Sequence, residues 1–290
     1  MSASIATLRP TPRLEWLWIA PPLSVIALLF FYPLALIARQ GLTDGGKHAI
    51  SLDHFAAVLR TRQFHSAAWN TIEIALMSSA GCVVLGFVIA LILSFVPFRG
   101  GREIARFIDT FIALPTFLMA LSFTFIYGSA GVLNGILMDA FGQKAPPVDF
   151  VYSIWGVVLA EITVFTPFVL RPLLAAFSLI DVAQIEVASS LGAGSWRIIR
   201  QIILPAALPA LLAGGSLCLL LTVNEFGIIL FIGAKGVITL PLLVYDKAIQ
   251  EGDYTPACAI AIINVVLSLS LYSLYRLVLA RFGGRSAGLV

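Results

Sequence analysis

Six stretches of about twenty residues, each nearly free of charge, decide what this chain can fold into. They lie at about 17–38, 71–96, 107–127, 152–174, 207–231 and 257–279. At 1.5 Å per residue, about 20 helical residues cross about 30 Å of hydrocarbon. Hydrocarbon offers the backbone no water, so each spanning segment must satisfy its own N–H and C=O groups, as a helix does. The expected fold is all-α: one polytopic membrane domain covering 1–290, with six transmembrane helices. Only 11% of the 290 residues are charged, against about 25% in soluble domains. The net charge of +3, with no basic run, leaves no footprint for nucleic acid.

The segments between the spans set the orientation. One group carries Arg9, Arg13, Arg99, Arg102, Arg106, Arg197, Arg200, Arg281 and Arg285; the alternate group carries Arg39, Lys47, Arg60, Arg62, Lys144, Lys235 and Lys247. Basic residues favour the cytoplasmic side, and short loops weigh most. The loop 97–106, with three arginines, therefore points inward, and six spans then leave both termini in the cytoplasm. Residues before Glu15 read as a polar tail. The first apolar run lacks a small-residue cleavage pattern and reads as a retained span. Short helices are expected near 52–59 and 133–141.

Chemistry-bearing motifs are few. No G-x-x-x-x-G-K-[ST] sequence occurs, and Gly233-Ala234-Lys235-Gly236 lacks its spacing. The chain is therefore expected not to bind ATP, and no cofactor, metal or catalytic group is assigned. His48, His54 and His65 read as solvated loop residues. Cys82, Cys218 and Cys258 lie in or beside apolar runs and read as small hydrophobes.

The most patterned polar segment is 181–205, DVAQIEVASSLGAGSWRIIRQIILP. Asp181 and Gln184 have capping-box spacing. A helix is expected from there to Leu191, with Ile185, Ala188 and Leu191 on one face. Gly192 and Gly194 are expected to stop it. Ser195 then caps a second helix with Trp196, Ile199, Ile202 and Ile203 on one side, and Pro205 ends it.

Glu186, Ala188, Gly192, Ile202, Leu204 and Pro205 stand at the spacings E-A-A, three residues, G, nine residues, I, one residue, L-P, with Val187 where alanine is common. The segment thus resembles the EAA loop of ABC importer permeases of the type I architecture. The resemblance implies a cytoplasmic coupling helix, including Trp196, that docks on an ATPase subunit. It also implies two ATPase subunits, a second permease subunit, an extracytoplasmic solute-binding protein, and residence in a bacterial inner membrane. Hydrolysis then belongs to the partners. Pro167–Pro172 (PFVLRP) and Glu225-Phe226-Gly227 resemble the branch importing sulfate, molybdate, iron, thiamine, polyamines and phosphonates. The segment 224–257 is similar to permeases of 2-aminoethylphosphonate importers. Polyamine, iron, sulfate and thiamine stay open as alternative solutes. An ion-coupled secondary transporter is disfavoured because no inverted repeat is visible.

Intramembrane acids supply pathway candidates. Glu161 lies in the middle of the fourth run, Glu225 toward the outer part of the fifth, and Glu73 near the outer end of the second. An ionisable group at a helix centre costs about 2.5–3.5 kcal/mol on insertion scales, so it faces water or a partner. Asn224 and Glu225, with Glu161 and Thr163, are the candidates for a solute pathway; a helix–helix hydrogen bond is the competing reading of both acids. Arg171 either snorkels or pairs with Asp181.

Overall fold

The computed structural model describes the backbone of residues 12–43 and 52–283, and side chains over 18–43 and 52–278. The helices in chain order are α1 (Pro12–Leu42), α2 (Asp53–Leu59), α3 (Arg62–Phe95), α4 (Gly101–Ala113), α5 (Thr116–Tyr127), α6 (Val132–Phe141), α7 (Ile154–Phe177), α8 (Val182–Ser190), α9 (Ser195–Ile198), α10 (Leu204–Val223), α11 (Gly227–Ile232), α12 (Leu240–Tyr245) and α13 (Tyr254–Gly283). Turns of π-helix occupy Ile199–Ile203 and Asp246–Gln250. Six helical stretches among the described residues are long and apolar enough to cross a membrane: Trp18–Leu42, Arg62–Phe95, Thr116–Phe141, Ile154–Phe177, Ser195–Val223 and Tyr254–Val278. Of the tail expected before Glu15, residues 1–11 lie outside the described residues, as does His48, and residues 12–14 are not a tail but the first turn of α1.

The heart of the bundle is α3, α7 and α10, packed pairwise. Lipid gives no hydrophobic drive between helices, so close contact depends on small residues. A Cβ built at Gly86 of α3 would stand 3.0 Å from Val169 Cβ; one at Gly214 of α10 would stand 2.9 Å from Val169 Cα. Both helices thus close on one residue of α7. The Phe168 carbonyl also lies 3.2 Å from the Gly214 Cβ position. That carbonyl has no helical donor, because Pro172 four residues on lacks an N–H. Pro167 and Pro172 both sit inside α7 without ending it. Outside this heart, α1 runs along α13, and α11 lies on α5. Trp18, Phe30, Phe31 and Tyr32 of α1 are exposed on the outer surface.

Three spans differ from the sequence expectation. The second begins at Arg62 rather than 71: the Thr61 hydroxyl accepts from the Phe64 N–H (3.3 Å) and caps α3. Its 34 residues reach about 51 Å, well beyond the hydrocarbon. His65, expected in a loop, is on this helix.

The third expected span, 107–127, is broken. Leu114 and Pro115 are both extended (ψ 134° and 136°), because proline drives the preceding residue out of the helical region. The part before the break, α4, carries Arg102, Glu103, Arg106 and Asp109 and has no buried residue. It lies as an amphipathic elbow on α7 and α3.

The fifth expected span, 207–231, starts earlier and stops sooner. Helix is continuous from Ser195 to Val223, so Pro205 does not end it. The Leu204 N–H reaches back to the Ile199 carbonyl, a five-residue step. The wider π turn takes in a proline that a regular helical turn would reject. The helix ends instead at Asn224.

Candidate coupling surface and pathway residues

The segment after α7 forms a helix–turn–helix. Asp181 caps α8: its carboxylate accepts from the Ala183 N–H (2.9 Å). The Gln184 N–H goes to the Asp181 main-chain carbonyl (3.0 Å). At the other end, the Ala193 N–H bonds the Ala188 carbonyl and the Gly192 N–H bonds the Ser189 carbonyl, both at 3.0 Å. This pair of bonds is the Schellman motif, which requires its terminating residue to be left-handed. Gly192 fills that place with φ +83°. Gly194 does not share the role: it is extended (φ −68°, ψ 159°) and is itself the N-cap of α9 in place of Ser195.

Ile185, Ala188, Ala193, Ile199 and Ile202 pack against the core, and Ile203 is buried. Leu191 and Trp196 leave the faces expected for them and point outward, 82% and 74% exposed. Leu179, Val182 and Val187 of the same segment are exposed as well. The segment thus packs some of its apolar residues against the core and leaves others, Leu191 and Trp196 among them, exposed. Isolated exposed apolar residues are ordinary, but several large ones in one short segment make it a candidate interaction surface. Glu186 is exposed on α8, and Pro205 is exposed while Leu204 is half-buried. Leu179 and Val182 were missed as surface residues; their signal was apolar character inside an otherwise polar segment.

The pathway candidates separate. Glu225 lies in the break between α10 and α11, and its carboxylate accepts from the Ile228 N–H (2.9 Å). It is 8% exposed and, one residue before the N-cap Phe226, satisfies an N–H of the first turn of α11. Asn224, one residue earlier, is exposed. It donates to the Leu220 carbonyl (2.8 Å) and accepts from the Asn264 amide (3.1 Å), and so ties the end of α10 to α13. Thr163 is half-buried, and its hydroxyl bonds back to the Leu159 carbonyl (2.8 Å). Glu161 is fully buried in the three-helix heart, and neither of its oxygens has a hydrogen-bond partner. Ser78, across on α3, is likewise buried with an unpartnered hydroxyl. Glu73 is half-buried on α3.

Arg171 pairs with Asp109 of α4 rather than with Asp181. The sequence expectation failed because Asp109 was read as part of a continuous span, whereas the break at Pro115 folds α4 back onto α7.

Residues 82–284 match the family model described as "Binding-protein-dependent transport system inner membrane component". Over 270 residues the chain is 62% identical to a Salmonella typhimurium protein described as "Putative 2-aminoethylphosphonate transport system permease protein PhnU", covering 93% of this chain and 94% of that one. It is 32% identical over 212 residues to a Chlorella vulgaris protein described as "Probable sulfate transport system permease protein cysT", covering 72% and 76%. In fold it is similar to the crystal structure of a bacterial ABC transporter involved in the import of alginate, with a TM-score of 0.79 at 21% identity, covering 93% and 96%. With six helices able to span a membrane and the family matched over 82–284, the chain belongs to the binding-protein-dependent transport system inner membrane components, the permeases of ABC importers.

Proposed function

We propose that this permease carries 2-aminoethylphosphonate into the cytoplasm. The single observation that carries the solute assignment is the 62% identity over 93% of the chain to a protein of that description. The whole chain acts as one transmembrane unit and pairs with a second permease subunit. Two ATPase subunits dock on the exposed Leu191, Trp196 and Glu186, and an extracytoplasmic binding protein delivers the solute. Both termini and the segment 181–205 lie in the cytoplasm, in agreement with the arginines of the loop 97–106.

In this reading ATP closes the two ATPases and draws the two coupling segments together. The Schellman turn at Gly192 holds α8 at a fixed angle to α9. Because α9 continues through the π turn into α10, the movement passes without a hinge to the break at Asn224. The two-state element is thus the helix pair, and nucleotide biases it. Asn224 and Thr163 line the solute's route, with Glu225 and Glu161 behind them.

The test is uptake of labelled 2-aminoethylphosphonate into vesicles holding the reconstituted complex, with ATP inside and binding protein outside. ATP-dependent accumulation is expected. Its absence, alongside ATP-driven uptake of sulfate or a polyamine, overturns the solute assignment.

A further inference from the structure

The opposite end of the bundle from the coupling segment holds a second polar site. The 24 residues of α7 separate the two ends by about 36 Å. Ser129, Asp149, Tyr152, Gly233 and Lys235 line a cavity of ≈ 440 Å³ there. They come from three stretches of chain: the α5–α6 turn, the approach to α7, and the α11–α12 loop.

These stretches are tied together. Asn134 of α6 is fully buried. Its amide donates to the Gly128 carbonyl (2.8 Å) and the Val148 carbonyl (2.7 Å) and accepts from the Val148 N–H (2.9 Å). One side chain thus fixes the turn that carries Ser129 against the stretch that carries Asp149. The Ser129 hydroxyl donates to the Asp149 carboxylate (3.3 Å). The third wall is held by the Lys235 N–H on the Tyr152 carbonyl (3.2 Å). Ala234 and Val237, on either side of Lys235, are buried and pin the loop. Gly233 and Gly236 give it left-handed turns (φ +64° and +75°).

Within this braced frame are one ammonium and one carboxylate. Among the described residues Lys235 forms no ion pair. Opposite charges that share a cavity without meeting suit a ligand that spans both. We propose that the cavity is a binding site of the permease for a small zwitterion. Lys235, with the Tyr152 hydroxyl, takes the oxyanion end, and Asp149, with Ser129, takes the ammonium end. The solvent-exposed charges make the site weak, which suits a waypoint, since conduction requires release. The charge pattern is independent of the transport reading; the identification of the zwitterion as an aminoalkylphosphonate rests on it.

The test uses the permease–ATPase complex in nanodiscs without binding protein, titrated with 2-aminoethylphosphonate and followed by phosphorus NMR line broadening. Saturable binding is expected. Lys235→Gln and Asp149→Asn are each expected to weaken it about tenfold, the scale of one charge-assisted hydrogen bond. Ethylphosphonate, which lacks the ammonium, is expected to bind more weakly and to ignore Asp149→Asn. No saturable binding by the parent, or unchanged binding by both variants, overturns the site. If the variants instead raise the binding-protein concentration needed to stimulate ATP hydrolysis and leave the solute titration alone, the cavity is a docking contact and the proposal fails. If vesicle uptake of 2-aminoethylphosphonate fails while another zwitterion shows the same dependence on Lys235 and Asp149, the site stands and only the solute changes.

Discussion

Val169 and Gly214 are in backbone contact: a Cβ at 214 would lie 2.9 Å from the Val169 α-carbon, a distance real Cβ atoms essentially never show. The contact joins α7 to α10 at the level where Pro172 leaves the Phe168 carbonyl without its helical donor. It therefore couples a packing requirement to a backbone defect. Gly214→Val is expected to lower stability by about 1–3 kcal/mol through overpacking, read as a lower melting temperature in detergent. Gly135→Ala, where a Cβ meets nothing within 4 Å, is the matched control and is expected to be neutral. Equal melting temperatures for the parent and Gly214→Val would contradict this packing.

The turn between α8 and α9 depends on one glycine of its two. Gly192 is left-handed with open space around it, so the penalty for a side chain there is conformational, about 1–2 kcal/mol. Gly192→Val is expected to leave the complex in the membrane but reduce solute carried per ATP hydrolysed. Gly194→Ala is expected to couple normally, since its φ of −68° suits any residue. Measured side by side, uncoupling by the alanine variant and not the valine variant would sink the assignment.

The Arg171–Asp109 pair pins the α4 elbow to α7. The arginine side chain is 57% exposed, so solvent screens the pair, and a double-mutant cycle is expected to give only about 0.2–1 kcal/mol. Exchanging the two residues is expected to recover most of what Asp109→Asn loses. A pairing energy of zero would leave α4 held by its apolar face alone.

Glu225 combines a hydrogen bond to α11 with a charge. Glu225→Gln keeps an oxygen for the Ile228 N–H, so folding and assembly are expected to match the parent while the transport rate falls. Glu225→Ala removes the acceptor as well and is expected to cost about 1 kcal/mol of stability, as loss of such a hydrogen bond at a helix start does. Parental transport by the glutamine variant would reduce Glu225 to that hydrogen bond and leave Asn224 and Thr163 as the pathway candidates.

Orientation is read by fusion reporters active only outside the cytoplasm. Fusions near Lys144 and Lys247 are expected to be active, and fusions near Arg102 and Arg197 silent. The reverse pattern would put the segment 181–205 out of reach of cytoplasmic ATPases.

Sequence by itself determined the number of spans, their all-helical character and the place of the glycine turn after α8. These follow from local rules: uncharged length, the hydrocarbon's demand for internal hydrogen bonds, and the left-handed preference of Gly192. The sequence also marked Asp181 as a cap, because an N-cap acts within three residues of itself. Tertiary structure alone decided where helices break or continue and what the polar groups meet. Pro115 breaks its run, whereas Pro205 passes through a π turn and Pro172 stays inside α7, whose backbone Gly214 approaches at Val169. Asp109 and Arg171 are far apart in sequence and meet because α4 folds back. Glu225 looked like a lone charge in lipid and proved to hold the first turn of a helix whose start only the break reveals. Leu191 was expected on one face with Ile185 and Ala188, and Trp196 on one side with Ile199 and Ile202, yet both point outward while those partners pack against the core. Periodicity suggests which residues share a face, but the neighbouring helices decide which of them are buried.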